Sequence, residues 1–186
     1  GESGMLYIMR HGKTEWNEKH KLQGRTDIPL NEKGILMAKK ACEEYKDVHF
    51  DICYCSPLTR AKQTAELVLE GRNVPIIYDT RLEEMSFGEF EGTEECINIP
   101  DCPIKMFFLE PENYEAPEGA ESLDDLFLRT GSFLNEVVMP ELEKGKDILI
   151  VGHGAMNSSI LCQVKNLPRK DFWRAGIENC KLMKLM

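Results

Sequence analysis

The chain has little positive charge to spare. Its 186 residues carry 23 Lys and Arg against 32 Asp and Glu, a formal net charge of −9. Such a surface repels phosphate backbones and anionic bilayers, which argues against nucleic-acid and membrane partners; any anion site must be a local basic pocket. Long apolar runs are missing as well. None approaches the roughly 18 residues of a spanning helix, and the N-terminus shows no basic-then-apolar signal segment, so a cytoplasmic location is expected. The seven cysteines (42, 53, 55, 96, 102, 162 and 180) show neither zinc-knuckle nor thioredoxin spacing and are odd in number, which reads as small buried hydrophobes in a reducing compartment. No repeat, low-complexity tract or linker divides the chain. A composition of 42% hydrophobic and 30% charged residues and this length suit one α/β domain that buries about 70% of its unfolded surface. That domain is assigned to residues 5–186, with residues 1–4 expected to be a foreign remnant ahead of a native Met5.

What is present begins with residues 6–17, L-Y-I-M-R-H-G-K-T-E-W-N. Four apolar residues lead straight into Arg10, His11 and Gly12, as in a strand buried on both faces that ends in a ligand-binding loop. Residues 147–152, D-I-L-I-V-G, are the strongest strand signal and end in His153-Gly154. Further strands are predicted over 50–55 and 74–78, with an edge strand within 179–186. Asn31 is placed as the cap of a helix to about Tyr45, and Ser122 as the cap of a helix that stops near Pro140. Ser56 and Pro57 are read as N-cap and first residue of a helix carrying Arg60. Residues 81–92 read as a loop. Residues 93–121, with four prolines, one Lys, no Arg and eight carboxylates, read as a short, solvated acidic cap. The architecture this implies is an α/β three-layer sandwich, with helices flanking a mainly parallel central sheet.

In a parallel sheet the carboxyl ends of strands share one edge, so His11 and His153 can meet there, with Gly12 and Gly154 letting backbone approach a ligand. Arg10, Arg60 and the helix start after Ser56 complete a pocket for a dianion such as a phosphoryl group. Arginines beside the histidines repel a cation, so neither metal nor cofactor is assigned. An imidazole here can serve as a nucleophile that takes the phosphoryl group, and a nearby carboxyl, Glu83 or Glu84, can protonate the leaving alkoxide. His20 and His49 read as exposed histidines.

Five blocks in order, R-H-G-K-T-E-W-N, S-P-L-T-R-A-K-Q-T-A, R-L-E-E-M-S-F-G-E-F-E-G, P-E-G-A-E-S and V-G-H-G, resemble the histidine phosphatase superfamily in its phosphoglycerate-mutase-like branch. The resemblance implies His11 as nucleophile, Arg10, Arg60 and the catalytic His153 on the phosphoryl group, and Glu84 rather than Glu83 as proton donor. It also implies that Asn17 helps bind phosphate and that Gln23 and Gly24 lie in a loop closing on the substrate. Two departures stand out: Lys13, expected to add charge at the mouth, and Asn157 with Ser158, expected to make the pocket floor more polar. The expected function is a metal-independent phosphatase of a small phosphomonoester. The alternatives are a cofactor-dependent phosphoglycerate mutase and, from another class, a non-catalytic module that binds phosphate or phosphoprotein.

Overall fold

The computed structural model describes residues 2–186. β1 (Leu6–Arg10) is followed by the short α1 (Glu15–Glu18) and by α2 (Glu32–Glu44), which Asn31 caps by accepting the Gly34 amide. Then come β2 (Ile52–Cys55), α3 (Thr59–Val68) and β3 (Ile76–Tyr78). α4 (Lys105–Leu109) lies in the cap. α5 (Leu123–Phe133), capped by Ser122, runs through a π segment (Leu134–Val138) into α6 (Met139–Glu143). β4 (Ile148–Gly152), α7 (Gly154–Lys165) and the two-residue β5 (Met183–Lys184) complete the chain. The sheet order is β3-β2-β4-β1-β5, parallel except for β5.

The period-two alternation of strands sorts the core into two layers. Leu6, Ile8, Ile52, Tyr54, Ile148 and Ile150 face α5 and α7. Met9, Cys53, Cys55, Leu149 and Val151 face the alanines of α2 and α3. β4 is central and wholly buried, which is why its run lacks a polar face.

Two expectations are corrected. Ser56 and Pro57 do not begin α3; its N-cap is Leu58, and the helix amides are met otherwise, Leu58 N by Ser56 Oγ and Thr59 N by Asp27. The helix after Ser122 does not stop near Pro140: α5 continues through the π segment that precedes Pro140 into α6, which ends at Glu143. Gly4, ahead of Met5, packs against the fold, buried and with its amide donating to Leu142 O at 2.8 Å.

Candidate active site

β1 and β4 pair in parallel with Arg10 beside Gly152, so their ends deliver His11 and His153 together. The two rings lie 5.2 Å apart, centroid to centroid. Both are buried. His11 Nδ1 is 2.6 Å from its neighbour's carbonyl, Gly12 O. A carbonyl only accepts, so Nδ1 carries the proton and the Nε2 lone pair is left free. Burial, with Arg60 and Arg10 nearby, holds the His11 pKa well below its ordinary 6.5, so the ring is neutral at pH 7. Gly12 is needed where it is: a Cβ there would meet Gly34 O at 2.7 Å. Its amide donates to Thr64 Oγ1.

His153 precedes α7, and its Nε2 lies 2.8 Å from Ser56 Oγ. That hydroxyl accepts the Leu58 amide; giving its own proton to Nε2 leaves the imidazole proton on Nδ1, which has no protein partner. Burial, then Arg60, His11 and Arg10, hold this pKa well below 6.5 as well. Asn157 is not part of the floor. Its Oδ1 accepts the His153 amide from behind, and Ser158 is likewise buried.

Arg60 sits in the first turn of α3 and is fully buried. Its two terminal nitrogens donate to Thr26 O and Gly24 O, leaving Nε unpartnered. Burial lowers its pKa to about 10, against the pull of Glu84 and Asp27; it stays charged at neutral pH. Arg10 donates to Ile177 O at 3.4 Å, and its Nε too has no partner. The N-terminus of α3, expected to hold the anion, is instead taken by Asp27, which accepts both Thr59 N and Thr59 Oγ1 at 2.8 Å. The basic groups of the pocket are therefore side chains.

Glu84, not Glu83, lines the cavity. Its carboxylate accepts the amides of Met85, Ala155 and Met156 at 2.8 to 3.0 Å, which fixes it at the start of α7 beside Gly154. Arg129 donates to the Glu83 carbonyl. Asn17 lines the cavity and closes a capping box with Thr14. Gln23 Oε1 accepts from Thr14 Oγ1 at 2.6 Å. Gly24 has φ of +54° and faces Glu91, whose carboxylate holds the Arg25 and Thr26 amides. The loop that carries Gln23 and Gly24 is thus pinned from both sides, by Arg60 and by Glu91.

The cavity encloses about 810 Å³. Its upper wall is aromatic: Phe87, Phe107 and Phe108 from the cap side, with Trp173 stacked on Phe108 at 5.6 Å. Reading the cap as solvated acid missed this wall, because most of its carboxylates are exposed while Phe107 and Phe108 line the cavity. Lys13 does not reach the mouth; it lies 3.9 Å from Glu18. Lys21 and the exposed His20 line the mouth instead. Thr64 and Glu91 escaped the sequence reading, and Ser56 and Asn157 were given other roles there. Ser56 and Thr64 both lie in S-P-L-T-R-A-K-Q-T-A, but their partners are 97 and 52 residues away.

A profile of the histidine phosphatase superfamily (branch 1) matches residues 6–186. The chain belongs to that superfamily. It is 34% identical over 182 residues to the 2,3-bisphosphoglycerate-dependent phosphoglycerate mutase 2 of Gloeobacter violaceus, covering 95% of this chain and 82% of that one. It is 30% identical over 176 residues to phosphoserine phosphatase 1 of Hydrogenobacter thermophilus, covering 94% and 82%. Among solved histidine phosphatase folds, YhfR of Bacillus stearothermophilus superimposes with a TM-score of 0.88 at 29% identity, over 98% of this chain and 90% of that one. The phosphoserine phosphatase of Entamoeba histolytica in complex with 3-phosphoglyceric acid gives 0.82 at 27%, over 97% and 89%. The group of side chains best placed for a metal, His49, Asp51 and Asp147, lies at the amino-terminal edge of the sheet, away from this site. Among the described residues no helix is long and apolar enough to cross a membrane.

Proposed function

We propose that the chain is a metal-independent phosphomonoesterase working through a phosphohistidine on His11. The observation that carries this is the set of buried nitrogens without protein partners, Arg10 Nε, Arg60 Nε and His153 Nδ1, the last a donor when Ser56 Oγ gives its proton to Nε2, beside an imidazole whose free nitrogen is Nε2. Buried donors are rarely left unmet in a folded protein. These three suit the oxygens of one phosphoryl group.

In the first step His11 Nε2 attacks phosphorus and the ester P–O bond breaks. The two guanidinium groups neutralise the charge that spreads over the phosphoryl oxygens, and His153 donates from Nδ1. Glu84 gives its proton to the departing alkoxide. In the second step water attacks the phosphohistidine, Glu84 takes the water's proton, and the N–P bond breaks to release phosphate and restore the Nε2 lone pair. Two arginines do here what a metal does elsewhere, so the rate should not depend on one.

Phe87, Phe108 and Trp173 line the cavity and offer an apolar surface to the alcohol of the ester, which favours apolar or aromatic alcohols over small polyanions. Relatives that are mutases keep the mutase reading as the alternative, and Lys21 is the cation that could serve it. That lysine is 3.9 Å from Glu94 and shares the mouth with Glu95 and Glu178, so a second anionic group meets net repulsion. The test is hydrolysis of p-nitrophenyl phosphate with and without EDTA. Equal rates are expected. No phosphate release, or inhibition by EDTA that Mg²⁺ or Zn²⁺ reverses, overturns the reading. If 3-phosphoglycerate with a trace of 2,3-bisphosphoglycerate yields 2-phosphoglycerate faster than inorganic phosphate, the mutase alternative replaces it.

A further inference from the structure

Cys96 and Cys102 are free thiols in the cap whose sulfurs lie 2.8 Å apart. We propose that they form a reversible dithiol–disulfide pair that stiffens the cap and narrows entry to the catalytic cavity under oxidation.

The two cysteines are brought together by local turns. Cys102 N donates to Ile99 O, Ile99 N to Cys96 O, and Lys105 N to Cys102 O. Pro100 and Pro103 limit the freedom of the same stretch. A disulfide has its sulfurs about 2.0 Å apart, so closing the bond asks for a movement of under about 1 Å. The other five cysteines have no such contact, and four of them are buried.

The pair is placed to act on the site. Cys96, Ile97 and Asn98 line the cavity. One residue before Cys96, the amide of Glu95 donates to His20 O, and Glu94 bridges to Lys21 as an isolated strand pair. Leu22 N donates to Thr93 O, and Gly92 N to Leu22 O. Gln23 and Gly24 follow directly, and Gly24 O accepts from Arg60. A cross-link at Cys96 therefore sits at the junction of the cap and the loop that Arg60 holds.

The reaction needs a disulfide oxidant, for which a low-molecular-weight disulfide such as glutathione disulfide serves. Cys96 is buried and its thiol pushed up by burial and by contact with Cys102; Cys102 is partly exposed, so it meets the oxidant first. As its thiolate it attacks one sulfur of glutathione disulfide, releasing one glutathione and leaving a mixed disulfide. The Cys96 sulfur, its proton passed to solvent, then attacks Cys102 Sγ, and the second glutathione leaves. Two protein thiols are oxidised and one disulfide is reduced to two thiols.

The test is to equilibrate the full chain with glutathione disulfide, remove it, and count thiols after denaturation. Seven free cysteines should fall by two, and peptide mapping should join Cys96 to Cys102. The Tm should rise by about 5 °C, as for a short closed loop in a domain of this size. The KM for a naphthyl phosphate should rise several-fold, and dithiothreitol should reverse every change. Cys102→Ser should lose the response to the oxidant. Seven thiols retained, a persistent glutathione adduct, or a disulfide between other residues would overturn the pairing; a Cys96–Cys102 bond with unchanged KM would overturn its link to the site. The count and the map need no turnover, so they stand apart from the phosphatase reading.

Discussion

The floor of the cavity is delivered by strand ends, and its upper wall by turns. On the floor, His11 and His153 come from adjacent parallel strands, and their rings are fixed by Gly12 O and Ser56 Oγ. Arg60 is bound to two carbonyls and Glu84 to three amides. In the cap, the only α-helix is the five-residue α4, and its place depends on rings: Phe107 packs on Phe87, Phe108, Tyr114, Phe172 and Trp173. A rigid polar floor suits chemistry that tolerates little displacement, whereas an aromatic wall on short turns can change its alcohol preference without touching that chemistry.

Substitutions on the floor should therefore affect every ester alike, and those in the cap should discriminate among them. The largest effect belongs to His11→Ala, which should lower kcat about 10⁴-fold or more on all substrates, because the covalent route is gone. Steady-state rates on p-nitrophenyl and ethyl phosphate check this; a loss confined to one of them breaks the comparison. Arg60→Lys should cost about 10²- to 10³-fold in kcat, since a point charge lacks the fork that meets Gly24 O, Thr26 O and the phosphoryl group together. Recovery of full rate by lysine would mean that charge alone suffices.

Glu84→Gln should slow ethyl phosphate far more than p-nitrophenyl phosphate, whose leaving group needs little protonation. Equal losses would move the proton-donor role elsewhere. Phe108→Ala, in the upper wall, should lower kcat/KM for naphthyl phosphate by about tenfold, the worth of part of an apolar contact, and change the ratio to ethyl phosphate in the same direction. An unchanged ratio would remove the aromatic wall from substrate binding.

The smallest effects are on stability against pH, and they have opposite signs. His11 and His153 have folded pKa values below 6.5, so the unfolded chain binds protons more readily. Their contribution is present above pH 6.5 and is lost as pH falls through the lowered folded values. The exposed His49, raised above 6.5 chiefly by its hydrogen bond to Asp147, contributes below pH 6.5 and fades as pH rises through its raised value. Urea midpoints should fall on acidification from pH 7 to pH 5 in the wild-type chain, and more steeply in His49→Gln. A midpoint that rises on acidification of the wild type would contradict the neutral buried imidazoles.

Most of the floor was legible in the sequence because each of its strands announces its own end: apolar runs stop at Arg10-His11-Gly12 and Gly152-His153-Gly154. What was illegible depends on distant partners. Ser56 looked like a helix cap because Ser-Pro commonly is one; its hydrogen bond to His153 exists only once β2 and β4 pair. Lys13 looked like a mouth cation from its place beside His11, but the chain turns there and α1 presents Glu18 to it. The cap read as acid because charges dominate its letters, while Phe107 and Phe108 gain their meaning from Phe172 and Trp173 more than 60 residues later. Pro140 looked like a stop because a π segment before it leaves no local signature.

The central claim is that His11 Nε2 carries the phosphoryl group. Turnover of a labelled ester, quenched in alkali within milliseconds and followed by peptide mapping, tests it directly. The label should sit on His11, bonded through Nε2 because Nδ1 is held by Gly12 O at 2.6 Å, and should be released by mild acid. Label on His153 or any other residue, or turnover without a labelled protein at any time point, would contradict it.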